Sequence, residues 1–209
     1  MPKFDSSSPF DPQSKNRMSA ETTFPERLET ERLILRRYCD GDALAVFALV
    51  DKNRQGLIQN FSQMARGLLK REDVESFIQE KSTQWDTRRA FCYGLWPKDA
   101  PELIGQLLVK NIVWDVPSAE LSYFVGSSSQ RRGFATEAIS MILRVAFERL
   151  AFKRVFVRIV AANTASFSLA SKLGFKHEGL HRSEFRCGFG ELHDVHYFSC
   201  TVEDFKAAL

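Results

Sequence analysis

A short basic loop with one glycine has the composition of an anion-binding site. It comprises Gln130, Arg131, Arg132, Gly133, Phe134, Ala135 and Thr136, and the residues after it have the pattern of a helix. Free backbone N–H groups and the positive end of the helix dipole converge at a helix N-terminus, and anions bind there. The glycine would let a phosphate approach the backbone, and the arginines add positive charge. We therefore predict a pyrophosphate site; an ordinary basic loop is the alternative that local features leave open.

The loop lacks the glycine patterns of two common nucleotide sites. It contains neither G-x-x-x-x-G-K-[ST] nor G-x-G-x-x-G, so the nucleoside triphosphate and dinucleotide fingerprints are absent from it. The loop therefore argues against a kinase or a dehydrogenase.

All four histidines fall within twenty residues that also contain Cys187. His177, His181, His193 and His196 could join the cysteine in a metal site. Alternation along a strand would, however, place His193 and His196 on opposite faces. We therefore predict packed or hydrogen-bonded histidines and no bound metal.

Composition and charge set the broad class of protein. The chain has 209 residues, of which 44% are hydrophobic and 26% charged, which is ordinary for a globular domain. A net charge of +3 is too small to indicate a nucleic-acid partner. We see neither a membrane-spanning run nor a secretory signal, so we expect a cytoplasmic protein. The four cysteines lack a C-x-x-C pair and are expected to be free thiols.

Hydrophobic periodicity predicts an α/β domain over residues 25–209, after a flexible polar arm over residues 1–24. The predicted strands cover residues 32–38, 91–96, 102–114, 119–126, 154–160, 175–185 and 193–201. The predicted helices cover residues 42–50, 71–85, about 135–150 and 163–173, with a short helical segment after Thr201.

Five segments, each on a predicted element, resemble the GCN5-related N-acetyltransferases (GNAT). Q-x-x-G-x-A at residues 130–135 is similar to the acyl-CoA pyrophosphate loop of that family, and the flanking segments resemble its ribosomal-protein-modifying branch. The segments are LETERLILRRY at 28–38, AELSYFVG at 119–126, QRRGFATEA at 130–138, NTASFSLASKLGF at 163–175 and HDVHYFS at 193–199. The resemblance implies a mixed, twisted sheet of about six or seven strands with about four helices. Its fourth and fifth strands, near 119–126 and 154–160, would splay apart to admit acetyl-CoA.

The resemblance also assigns residues to acetyl-CoA. Main-chain groups of Phe124 and Val125 would polarise the thioester carbonyl and pair with pantetheine, while their side chains have the types of core residues. Asn163 would cap a helix and bond the cofactor, with capping alone as the alternative. The pyrophosphate would lie against the basic loop.

Acetyl transfer also needs a proton for the departing thiolate. Many relatives carry a tyrosine where this chain has Ala170, which puts the usual tyrosine acid in doubt. The ribosomal branch resembles this chain in having a serine at the end of N-x-x-S, so we predict Ser166 as the acid. A plain surface hydroxyl is the alternative.

Two glutamates are candidate bases for the acceptor amine. Glu184 matches a glutamate that faces the amine in similar enzymes, and Glu120 lies on the predicted fourth strand. A partly desolvated carboxylate could receive the proton directly or through water. For both, the alternative is a solvated residue paired with an arginine such as Arg182 or Arg186.

The resemblance favours an acetyl-CoA-dependent N-acetyltransferase acting on a protein N-terminal α-amino group, such as that of a ribosomal protein. An α-amino group has a pKa of about 7.7 to 8.0, so a modest base suffices. The alternatives are a small amine acceptor (a polyamine, an aminoglycoside or an amino-acid-like metabolite) and a non-catalytic acyl-CoA-binding module. We expect no membrane or nucleic-acid partner and a monomer or homodimer.

Overall fold

A computed structural model describes residues 23–207, so residues 1–22 of the predicted arm lie outside the described part of the chain. Eight strands form a mixed sheet in the order β1-β2-β3-β4-β5-β6-β8-β7. The strands are β1 (Arg27–Glu29), β2 (Leu33–Arg37), β3 (Phe91–Pro97), β4 (Gly105–Val113), β5 (Ser118–Val125), β6 (Arg154–Val160), β7 (Lys176–Arg186) and β8 (Leu192–Thr201).

The described residues also form six α-helices. They are α1 (Ala43–Asn60), α2 (Ser62–Gly67), α3 (Arg71–Asp86), α4 (Phe134–Arg144), α5 (Thr164–Lys172) and α6 (Val202–Ala207). A single π-helical turn over Val145–Arg149 continues α4. Among these helices, none combines the length and the apolar character that crossing a bilayer would require.

The structure confirms the predicted α/β fold and all seven predicted strands. The structure adds one strand that was not predicted, β1. Its three residues are too few to show a hydrophobic period. Helix α1 continues past its predicted end at Val50, because Leu57 extends the buried face formed by Val46 and Val50 beyond a polar stretch. The structure has six α-helices where the resemblance implies about four, and the two additional ones are the short helices α2 and α6.

Both faces of the sheet are covered. Along β2, Leu33 and Leu35 belong to the buried cluster that includes Ile139 of α4, whereas Ile34 packs against the cluster that includes Val46 of α1. Successive strand residues point to opposite faces, so α4 and α1 lie on opposite sides of the sheet.

The core reaches into the segment that composition assigned to the arm. Phe24 is 1% exposed, and its ring centroid lies 4.9 Å from that of Phe91 and 5.8 Å from that of Phe152. Tight aromatic packing of this kind belongs to a folded domain. Within the described residues, the packed core therefore includes Phe24.

Strands β5 and β6 separate part way along their length, as the family resemblance implies. Their parallel pairing covers only Ser118–Leu121 against Arg154–Val157, although β5 continues to Val125 and β6 to Val160. Strand β6 then pairs with β8, and β7 forms the far edge. The sheet therefore contains a wedge-shaped gap between the ends of β5 and β6.

Candidate functional site

Two cavities open at the gap between β5 and β6. The loop cavity, of about 670 Å³, is lined by residues of the basic loop, α1, β5 and α5. The strand cavity, of about 130 Å³, is lined by residues of β4, β5, β6, β7 and β8. Five residues line both cavities: Asn60, Phe61, Tyr123, Asn163 and Ser166. The two spaces therefore meet where β5 faces the start of α5.

The basic loop turns sharply before it enters α4. Gly133 is the N-cap of α4 and has φ of +82°, a left-handed conformation that glycine adopts without strain. A Cβ at this position would also lie 3.2 Å from the Arg32 guanidinium. The glycine thus serves the turn itself, which places the first residues of α4 against the loop cavity, at the helix end whose amides lack intrahelical partners.

Contacts from the start of β2 hold the loop in place. Arg32 donates to the Arg132 carbonyl oxygen at 2.9 Å and to a Glu137 carboxylate oxygen at 2.8 Å. Glu137 also accepts from the Arg32 backbone amide and from the Thr30 hydroxyl. Burial by itself would raise the pKa of Glu137, but the Thr30 and Arg32 donors together lower it below the ordinary value. No local pattern in the sequence indicates this contact, which joins segments about a hundred residues apart.

The two arginines of the loop have different surroundings. Arg131 lines the loop cavity. The Arg132 guanidinium instead stacks on the Phe134 ring at 4.9 Å from its centroid and is not among the lining residues. Lys52 of α1 is a second lining cation, and no carboxylate of residues 23–207 lines this cavity. The loop cavity is therefore electropositive and suits a multiply charged anion.

Gln130 and Asn53 fix the two ends of the strand-to-loop connection. The Gln130 side-chain amide donates to the Val125 carbonyl oxygen at 2.9 Å, and the Asn53 side chain accepts from the Ser127 amide at 2.8 Å. Phe124 is buried, and its ring packs 5.5 Å from that of Phe61. Gln130, Phe124, Val125, Phe134, Ala135 and Thr136 all line the loop cavity. The predicted cofactor residues other than Arg132 are thus brought to one cavity.

Three polar residues lie where the two cavities meet. The Asn163 side chain accepts from the Ser166 amide at 3.1 Å and so caps α5. Ala170, at the position of the usual tyrosine, is buried in the core. Tyr123 instead reaches this place from β5, and its hydroxyl is buried without a hydrogen-bond partner. Burial raises the pKa of Tyr123, and the neighbouring Ser166 side chain counteracts part of that rise.

Sequence reasoning missed Tyr123, because a tyrosine within a strand has the pattern of an ordinary core residue. The gap between β5 and β6 is what gives its hydroxyl a position beside both cavities. The resemblance pointed to this gap without identifying which β5 side chains border it.

Glu120 is a fully partnered buried carboxylate. Its side chain is 4% exposed and contacts Arg158 Nε at 3.0 Å and Lys110 Nζ at 3.3 Å. Asn111 donates to its other oxygen at 2.6 Å. A carboxylate held by three donors has little free space in which to receive a further proton from a substrate.

Glu184 shares Arg158 with Glu120. Its side chain is 25% exposed and lies 3.3 Å from Arg158 Nη1 and 3.1 Å from His181 Nδ1. The Tyr197 hydroxyl donates to the same carboxylate. Burial is the main cause that raises the pKa of Tyr197, and the hydrogen bond to Glu184 is the next. The arginine beside both glutamates is Arg158 of β6, rather than the neighbours in sequence that we expected, because cross-strand proximity decides the pairing.

The four histidines separate into distinct environments. His177 and His196 are hydrogen-bonded at 2.9 Å, while His181 contacts Glu184. His193 lies at the β7–β8 hairpin, where donor atoms of Cys187, Glu191 and His193 lie within 4.8 Å of one another. The histidines therefore do not share one ligand set, and neither cavity contains this hairpin group.

Comparison with known proteins adds a family assignment to this geometry. Residues 32–176 match the sequence model of the acetyltransferase (GNAT) domain. The chain is 31% identical over 175 residues to YoaA of Bacillus subtilis (strain 168), an uncharacterized N-acetyltransferase, covering 82% of this chain and 94% of YoaA. It is 26% identical over 166 residues to the [ribosomal protein uS5]-alanine N-acetyltransferase of Escherichia coli (strain K12), covering 73% of this chain and 79% of the relative.

A solved structure shares the fold at lower identity. The RimL ribosomal L7/L12 α-N-protein acetyltransferase in complex with coenzyme A superimposes with a TM-score of 0.78 and 20% identity, covering 86% of this chain and 99% of that one. At that identity the likeness concerns the arrangement of the backbone.

Proposed function

The chain belongs to the GNAT acetyltransferase family, and we propose that it binds acetyl-CoA in the loop cavity and acetylates an amine that enters the strand cavity. The observation that carries the proposal is the meeting of the two cavities at Tyr123, Asn163 and Ser166. A thioester from one side and an amine from the other can come into contact there, which is the requirement of a direct transfer.

The loop cavity supplies what a pyrophosphate needs. The first residues of α4 line it, Arg131 and Lys52 provide positive charge, and no carboxylate of the described lining opposes an anion. Beyond Leu121, β5 has no strand partner on its β6 side among the described residues. Apart from the Val125 carbonyl oxygen, which Gln130 binds, we assign main-chain groups near Phe124 and Val125 to pantetheine and to the thioester carbonyl.

The strand cavity supplies charge for an amine. Of its two carboxylates, Glu184 is the more exposed and lies on the side of β7 and β8. We assign Glu184 as the group that receives the amine proton or holds the amine in line with the thioester. Glu120 has the supporting part, because its contacts with Arg158 and Lys110 fix the cations of this cavity.

The acceptor that we propose is a protein N-terminal α-amino group, such as that of a ribosomal protein. The relative from Escherichia coli, whose name gives a ribosomal protein alanine as its target, supports this choice. The strand cavity is also small, at about 130 Å³, and so accommodates only the reacting end of a larger acceptor. A ribosomal acceptor would place the protein in the cytoplasm.

The test is an acceptor panel with the purified full chain and acetyl-CoA. Release of free CoA thiol and the mass of each acceptor are measured with peptides that begin with alanine or serine, the same peptides blocked at the N-terminus, spermidine and an aminoglycoside. We expect amine-dependent thiol release with the free peptides and none with the blocked ones. Faster turnover of a small amine would transfer the acceptor assignment to that class, and acetyl-CoA binding without release on any acceptor would indicate a binding module.

A further inference from the structure

The Tyr123 hydroxyl is an exception among the buried polar side chains of residues 23–207. It is the one buried side-chain oxygen or nitrogen there that lacks a hydrogen-bond partner. A buried hydroxyl without a partner destabilises a fold, and such groups are rare for that reason. A phenylalanine would fill the same space without this cost, so the hydroxyl calls for an explanation in function.

Its position supplies one. Tyr123 and Ser166 are the two hydroxyl-bearing residues that line both cavities, and Ser166 is the neighbour that affects the Tyr123 phenol. Ser166 is also held in place, because its amide is bound by the Asn163 side chain at 3.1 Å. The two hydroxyls are therefore neighbours at the junction of the cavities, and they are not hydrogen-bonded to each other in this structure. A proton can pass between them once a bound thioester brings them into hydrogen-bond contact.

A serine by itself is a weak proton donor. Its loss of a proton would leave an alkoxide, which is far more basic than the tyrosinate left by a phenol with a pKa near 10. A phenol behind the serine can replace the proton as it leaves, so that no alkoxide forms.

On the basis of the acetyl transfer proposed above, we propose that Ser166 and Tyr123 form a two-hydroxyl proton relay to the departing thiolate. As the C–S bond breaks, sulfur takes the electron pair and receives the Ser166 proton, while the Tyr123 proton moves to the Ser166 oxygen. The products are the free thiol, a neutral serine and a tyrosinate. The acceptor nitrogen loses one proton, and solvent returns one proton to Tyr123, so the number of protons is conserved over the turnover.

Burial favours the protonated resting state of Tyr123 and the return of its proton after each transfer. Because burial raises the pKa of Tyr123, the phenol stays protonated at neutral pH and is ready for each turnover. The same burial makes the tyrosinate a short-lived species that takes back a proton before the next acetyl-CoA reacts.

The first test compares Tyr123→Phe with Tyr93→Phe. The Tyr93 hydroxyl is also buried, but it donates to the Pro25 carbonyl oxygen at 2.6 Å and lines neither cavity. We expect Tyr123→Phe to unfold at the same denaturant concentration as the parent or a higher one, to bind acetyl-CoA equally by calorimetry, and to lose kcat by roughly tenfold to a hundredfold. Tyr93→Phe should keep kcat. A relay also predicts that Tyr123→Phe adds little to the loss already caused by Ser166→Ala.

The second test changes the leaving atom. In acetyl-CoA with selenium in place of the thioester sulfur, the departing anion is less basic and needs less protonation. The kcat loss of Tyr123→Phe should therefore shrink with the selenium compound, whereas a structural role predicts the same loss with both. Unchanged kcat in Tyr123→Phe with an active parent, or an equal loss with both compounds, overturns the relay. A parent chain that binds acetyl-CoA but acetylates no amine overturns the proposed acetyl transfer, and the relay with it.

Discussion

The loop cavity and the strand cavity are built in different ways. Residues 127–136, one continuous segment, supply more of the described lining of the loop cavity than any other segment, and the charged residues of that lining are both cations. The strand cavity draws its charged residues from β4, β5, β6 and β7, and it contains both signs in one connected group. Recognition in the first cavity is therefore local and depends on the backbone, whereas in the second it is long-range and depends on paired side chains.

Mutations in the two cavities should therefore affect different properties of the enzyme. A change in the loop alters the position of amides and cations that bind an anion, so it should affect acetyl-CoA affinity. A change in the charged group of the strand cavity alters what the acceptor amine meets, so it should affect turnover. Measurements of acetyl-CoA affinity and of turnover in variants of each cavity test this difference, from the largest expected effect to the smallest.

Glu184→Gln should have the largest effect. If the carboxylate receives the amine proton, kcat/KM for the acceptor falls by roughly 10² to 10⁴ near pH 7, while acetyl-CoA affinity is kept. The loss should shrink as the pH rises past the amine pKa of about 8, because the amine is then already neutral. Initial rates across the pH range measure both features.

Glu178→Gln is the matched control for that experiment. Glu178 is also on β7, but it contacts Arg154 and Ser199 and lines neither cavity, so its kcat/KM should stay near the parent value. Full activity of Glu184→Gln together with a large defect in Glu120→Gln would transfer the base to β5. If the loss of kcat/KM in Glu184→Gln persists at every pH, Glu184 positions the amine and does not receive its proton.

Gly133→Val should weaken acetyl-CoA binding by at least tenfold, about 1.4 kcal/mol. A branched residue at φ of +82° is strained, and its Cβ would press on Arg32, so the turn that directs the α4 amides must shift. Calorimetry measures the affinity. Gly190→Val imposes a left-handed branched residue at φ of +92° in the β7–β8 turn and should keep the affinity. Equal affinity in all three folded proteins would remove the loop from the acetyl-CoA site.

Arg131→Ala and Arg132→Ala should differ although they are adjacent. Arg131 lines the loop cavity and Arg132 stacks on Phe134, so only the first should reduce acetyl-CoA affinity, by a few fold, or about 1 kcal/mol or less. The effect should fall as salt is added, since exposed charges are screened. An equal loss in both variants would mean that Arg132 leaves its aromatic contact to bind the anion.

Glu137→Gln should produce the smallest effect, on stability. The carboxylate has a lowered pKa in the folded state, so its contribution is present above the unfolded value of about 4.3 and is lost as the pH falls through the lowered folded value. At pH 7 the variant should unfold about 1 kcal/mol more easily than the parent, and the difference should close in acid. Denaturant titrations at both pH values measure it; a difference that is independent of pH would contradict the assigned donors.

The same contrast explains what the sequence could reveal. The strands, the main helices and the loop that opens α4 follow from local patterns, and the resemblance supplied the gap between β5 and β6. Arg158 and Tyr197 beside Glu184, and the buried Tyr123 hydroxyl, could not be found in this way, because strands that are distant in the chain bring them together. Arg32 is similar, since its contact with Glu137 depends on how β2 lies beside α4.

Hydrogen–deuterium exchange of the full chain, with and without acetyl-CoA, tests the division between the two cavities most directly. The account predicts slower exchange at the amides of residues 127–136 and at the end of α1 that lines the loop cavity, with no change along β7. Protection concentrated on β7 and β8, with residues 127–136 unaffected, would contradict it.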